Sequence, residues 1–101
     1  MLQDLLTITA HLNRRFPDGN DPFQIMTRLL EECGELAQQV NHFEGTGVKR
    51  DKYGEPDKAK MAKEVKDVIR GALQIALYYG IEDELEASFQ QSLQAMKDET
   101  I

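Results

Sequence analysis

Two short acidic runs carry the residue types best suited to chemistry in this chain, Glu31-Glu32-Cys33-Gly34-Glu35 and Glu64-Val65-Lys66-Asp67. Within each run two carboxylates stand three residues apart, Glu32 with Glu35 and Glu64 with Asp67. That spacing puts both members of a pair on one side of an α-helix. Leu29, Leu30, Cys33, Leu36 and Ala37 surround the first run, and Ala62, Val65, Val68 and Ile69 the second. The carboxylates therefore border faces that otherwise read as core, where charge is costly unless paired or coordinated. If the two sides face each other, four carboxylates surround one small volume, and a hard cation is the species that settles their charge. The competing reading is a solvated face on which the acids pair with Arg28, Lys63, Lys66 or Arg70. For one carboxylate alone that reading wins; for two such pairs on consecutive helices, periodicity does not separate the two.

The available ligands narrow the metal. A di-iron site in a bundle calls for Glu-x-x-His pairs, and neither His11 nor His42 has a glutamate three residues before it. Cys33 is the only thiol, so a closed structural zinc site lacks its ligands. An all-oxygen set favours Mg²⁺ or Mn²⁺, and Mg²⁺ is commonly completed by substrate phosphates. Without metal the carboxylates repel one another, and some hold protons above their usual pKa.

The elements that must position these groups read as four helices in an all-α fold, over about residues 1–15, 22–42, 57–79 and 83–97. Leu2, Leu5, Leu6, Leu12 and Phe16 recur at helical spacing, and Pro17-Asp18-Gly19-Asn20 ends the first helix in a turn. Asp21 as N-cap and Pro22 behind it start the second. Asp57 starts the third, Gly80 closes it, and Asp83 with Glu86 resembles a capping box for the fourth. Phe43 to Pro56 shows no sustained period and reads as a loop, long enough for a functional role. Gly34 and Gly71 interrupt helices at a cost of about 1 kcal/mol each, for close helix contact or for ligand room. The third helix is apolar on more than one side, which predicts a homodimer or homotetramer.

Bulk properties fit one domain over residues 1–101, with 41% hydrophobic and 30% charged residues and a formal net charge of −6. No dense basic surface is available to displace the counterions of a nucleic acid polymer. A small phosphorylated ligand remains compatible, because a divalent ion reverses the local sign. A single cysteine, no basic-then-apolar leader pattern and no membrane-length apolar run point to a cytoplasmic protein without a membrane partner.

Glu31-Glu32-x-x-Glu35, then 28 intervening residues from Leu36 to Lys63, then Glu64-x-x-Asp67 resembles the signature of the MazG-like nucleoside triphosphate pyrophosphohydrolases. That all-α superfamily also includes dimeric dUTPases and phosphoribosyl-ATP pyrophosphohydrolases. The resemblance covers roughly residues 23–97, including the helix that closes with Tyr79-Gly80-Ile81. It implies hydrolysis of a nucleoside triphosphate, canonical or not, to its monophosphate and pyrophosphate, as in housecleaning of the nucleotide pool. It also implies catalytic roles for Glu31, Glu32 and Glu35. Glu32, Glu35, Glu64 and Asp67 become Mg²⁺ ligands, and Glu31 lies behind them or orients the attacking water.

The chain departs from the family pattern in Lys66, Arg70 and Gly71 around the second half-motif. It departs again in a last helix reading Phe89-Gln90-Gln91-Ser92, with Lys97 its only base. Lys63, Arg70 and Lys49 are the candidates left for reaching substrate phosphates; exposed, solvated bases are the commoner case. Three functions follow. The first is a Mg²⁺-dependent pyrophosphohydrolase. The second is a catalytically weak or inactive helical oligomer that uses the acidic motif for metal or nucleotide binding. The third is an antitoxin-like helical partner for a basic protein.

Overall fold

Helix boundaries in this chain are written in its capping residues. In the computed structural model, which describes residues 1–45 and 54–98, Asp21 accepts a hydrogen bond from the Gln24 N–H (3.0 Å) with Pro22 in the first turn. Asp57 does the same for the Ala59 N–H at 2.8 Å. The described residues form four helices and no strand: α1 (Leu2–Arg15), α2 (Pro22–Glu44), α3 (Lys58–Tyr79) and α4 (Glu82–Lys97). The all-α expectation holds, with two differences at the edges. Helix α2 runs on through Phe43 and Glu44, because Gly45 at φ +71° turns its N–H back onto the Asn41 and His42 carbonyls. Helix α4 starts at Glu82 without any side-chain cap, so the Asp83–Glu86 capping box does not form. The reason lies one residue earlier. Gly80 at φ +64° and Ile81 close α3 by donating to the Leu77 and Ala76 carbonyls, and Ile81 is already the N-cap of α4. Three acids in the first turn of α4 complement its dipole instead.

Helix α3 is the axis of the fold. Helices α1, α2 and α4 each pack against it and make no close backbone approach to one another. Against α2 the contact is tight at Gly71, where an added Cβ would meet Leu29 Cδ1 at 3.0 Å and Leu29 Cβ at 3.3 Å. Gly71 is therefore a close-approach glycine, whereas nothing lies within 4 Å of the position a Cβ would take on Gly34. Against α1 the contact includes a hydrogen bond from Gln74 Nε2 to Asn13 Oδ1 at 2.8 Å. The apolar residues fully buried by this packing, among those described, are Ile25, Leu73 and Ala76.

So small a core leaves much apolar surface outside. The chain exposes 7518 Å², against about 5,800 Å² for a compact monomer of its mass. Its radius of gyration is 16.7 Å, against about 13 Å for a compact chain of this length. Helix α2 carries a large share of the exposed apolar side chains among the described residues. Ile25, Leu29, Glu32, Leu36, Gln39 and Phe43 form the row turned inward, while Phe23, Met26, Leu30, Cys33, Ala37 and Val40 form a second row that is exposed throughout. That second row alternates three- and four-residue steps, the spacing of a helix–helix seam.

The two helical glycines give opposite expectations. Gly34→Ala gains helix propensity and should raise the unfolding free energy by about 1 kcal/mol. Gly71→Ala forces Leu29 aside and should lower it by about 1–2 kcal/mol net, overpacking outweighing propensity. Urea unfolding of both variants checks this; equal effects at the two sites would contradict a tight α2–α3 crossing.

Candidate metal centre

The α2–α3 crossing decides what the acidic runs can do. Leu29 lies against Gly71, and one turn further along α2 the Glu32 carboxyl lies beside that of Glu64. The two helices therefore run antiparallel, with their acidic faces turned together. One carboxylate oxygen from each of Glu32, Glu35 and Glu64 lies within 4.8 Å of the others. Glu32 and Glu64 are half-buried and Glu35 is exposed, so the cluster opens to solvent on the Glu35 side.

Its electrostatics are those of acceptors without donors. Glu32 Oε2 and Glu64 Oε2 are buried with no hydrogen-bond partner, and so is Gln39 Oε1, two turns beyond Glu32 on the same inward row of α2. A buried acceptor left unpaired costs on the order of 1–3 kcal/mol, and more when charged. Partial burial, the hydrogen bonds that a protonated Glu32 can donate to the Glu64 and Glu35 carboxyls, and the negative charges of Glu35 and Asp67 push the Glu32 carboxyl up to about 7. A proton on Glu32 gives the cluster its one donor. A divalent cation would satisfy the same oxygens, and an all-oxygen set fits Mg²⁺ or Mn²⁺.

The remaining residues singled out in the sequence are placed as follows. Asp67 is buried one turn along α3, and its Oδ2 accepts from Lys63 Nζ at 2.8 Å, an i,i+4 ion pair. It stands outside the three-carboxylate cluster in this arrangement. That bond raises the Lys63 ammonium above its ordinary pKa. Lys63 is thus paired with Asp67, within electrostatic reach of Glu64 and Glu32. Glu31 is exposed and outside the cluster; Arg70 is half-buried on the α1 side of α3. Lys49, with Arg50 and Lys52, lies outside the described residues. His42 Nε2 donates to the Gly54 carbonyl at 2.7 Å, tying the end of α2 to the approach to α3. Gln39 carries no charge and belongs to no motif, so residue type alone does not mark its buried acceptor. Its signal was its place in the row of Ile25, Leu29, Glu32 and Leu36.

Comparison of the chain with family models, with curated proteins and with solved structures gives no match. No described helix is long and apolar enough to cross a membrane.

The raised Glu32 carboxyl has a defined pH signature. The unfolded group ionises near 4.5 and the folded one near 7, so between these values the folded state holds the proton and the unfolded state does not. Metal-free stability therefore falls as pH rises through that window. Melting in EDTA should show this decline, and Glu32→Gln should flatten it. A wild-type melting temperature that is level or rises across the window would contradict the arrangement.

Proposed function

We propose that this chain is a divalent-cation-dependent nucleoside triphosphate pyrophosphohydrolase that works as a homodimer or homotetramer. The observation that carries the proposal is the convergence of Glu32, Glu35 and Glu64 from two antiparallel helices, with buried oxygens that lack any donor. The resemblance of the double acidic motif to the MazG-like pattern supports the same reading, and the fold alone carries no function.

In this reading Glu32, Glu35 and Glu64 hold the ion, with Mg²⁺ preferred and Mn²⁺ able to replace it. Asp67 joins them when Lys63, whose side chain is 62% exposed, swings from the ion pair to a phosphate. Glu31 lies behind the cluster and orients water. A bound divalent ion neutralises the triphosphate and lowers the pKa of a coordinated water. Closure of the cluster by substrate also strips water from Glu32 and Glu64, strengthening their hold. The substrate is a nucleoside triphosphate, canonical or not, and its products are the monophosphate and pyrophosphate. The exposed, unpaired Cys33 suits a reducing cytoplasmic compartment.

The surplus of roughly 1,700 Å² over a compact monomer falls within the range of about 1,000–2,500 Å² that an obligate homodimer interface takes from each copy. The exposed seam of Phe23, Met26, Leu30 and Val40 is the surface that serves it. A second reading, a weakly active or inactive oligomer that binds metal or nucleotide, draws on one observation. Helix α4 offers Lys97 as its sole base for gripping phosphates.

Pyrophosphate release from a panel of canonical and modified triphosphates, with Mg²⁺ or Mn²⁺, separates these readings. Turnover by wild type that drops to background in Glu35→Gln is the expected result; no turnover with metal bound supports the inactive oligomer. Sedimentation velocity should find a dimer or larger species, and Leu30→Asp should shift it toward monomer. A wild-type monomer at tens of micromolar would contradict the assembly.

A further inference from the structure

A depression of about 260 Å³ opens between the end of α1, the turn before α2 and the middle of α3, lined by Asn13, Phe16, Asp18, Arg28, Arg70 and Gln74 among others. In a chain of net charge −6 it gathers two guanidiniums against one carboxylate. Arg28 is held in place, donating from Nη1 to the Gly19 carbonyl at 2.6 Å and from Nη2 toward Asn20 Oδ1 at 3.4 Å. Arg70 is half-buried, yet none of its five donors has a hydrogen-bond or ion-pair partner among the described residues. The bond from Gln74 Nε2 to Asn13 Oδ1 leaves the Asn13 amide N–H₂ as a further donor.

None of the clustered carboxylates lines the depression, and helix geometry relates the two sites. Arg28 precedes Glu32 by one turn of α2, and Arg70 follows Asp67 by about one turn of α3. Because the two helices are antiparallel, both steps lead to the same end of the cluster. We propose that this depression is the seat for the part of a polyphosphate chain that the carboxylate-held cation does not cover, with Arg70 and Arg28 gripping its oxygens. The inference rests on the triphosphate reading of the carboxylate site. It assigns to α2 and α3 the phosphate grip that α4 lacks.

Phosphate fits the depression better than a nucleobase does. A guanidinium fork matches paired phosphate oxygens. Phe16 is the one aromatic ring in the lining, and Arg15 lies over it, 5.6 Å from its centroid, whereas the two guanidiniums and the Asn13 amide supply donors suited to phosphate oxygens. Asp18, the one acid in the lining, reduces the positive charge without cancelling it.

Calorimetric titration of sodium tripolyphosphate into the full chain tests this, first in EDTA and then with Mn²⁺, beside titration of Mn²⁺ alone. Wild type should bind tripolyphosphate in both conditions and more tightly with Mn²⁺. Arg70→Ala should weaken that binding by about tenfold or more, the loss of charge-assisted hydrogen bonds. Arg70→Lys should recover it only in part. Mn²⁺ alone should bind wild type and Arg70→Ala equally. Should Arg70→Ala unfold, Arg70→Gln keeps most of the side chain and carries the same expectation. Tripolyphosphate affinity that is unchanged by these substitutions, or absent from wild type in both conditions, overturns the seat. Arg70-dependent binding in a protein that takes up no Mn²⁺ leaves the seat standing and overturns the metal reading.

Discussion

Like charge held close without a donor is the constraint on which the rest of this structure depends. Gly71 lets α3 approach α2 until Leu29 fills the gap, and that approach fixes where the next turns of both helices must go. Glu32 and Glu64 are carried into each other's reach, half-buried, with one oxygen apiece cut off from water and from any donor. Leu29 and Leu36 flank Glu32 on the inward row of α2, and Leu29 seats that row against Gly71 of α3. A proton on Glu32 or a cation between the carboxylates would relieve their repulsion, and the two would compete for one set of oxygens.

Much of this frame was visible in residue types. Asp21-Pro22, Asp57 and Gly80 are local devices whose effect does not depend on tertiary structure, so the helix edges they set fell where expected. The i,i+3 acidic pairs were equally local. What the chain could not disclose in one dimension was choice among partners. Asp67 has Lys63 one turn before it and Glu32 across the crossing, and the structure gives its buried oxygen to Lys63. Gly34 and Gly71 look alike in sequence; only the position of Leu29 tells them apart. The capping box at Asp83 failed because the αL residue Gly80 and Ile81 occupy the turn first, a competition between two valid local signals.

The apolar surface shows the same limit from another side. The apolar pattern of the third helix predicts exposed apolar surface there, and Val65, Ile69, Tyr78 and Tyr79 of α3 are exposed. The longer seam, from Phe23 to Val40, lies on α2. There two apolar rows, one inward and one outward, merge in sequence into a single broad face. Their division is set by which row meets α3, a tertiary fact. Helix α2 thus serves two surfaces at once, carrying carboxylates inward and an unpartnered seam outward. In the proposed assembly, a copy seated on that seam would also hold the helix that carries Glu32 and Glu35.

The measurement that tests the central claim most directly is an electron paramagnetic resonance titration of Mn²⁺, which reads free ion as protein is added. The account predicts saturable binding that Mg²⁺ displaces, lost in Glu64→Gln and retained in Glu31→Gln, whose carboxylate lies outside the cluster. A free-ion signal undiminished by wild-type protein, or equal uptake by wild type and Glu64→Gln, would contradict it.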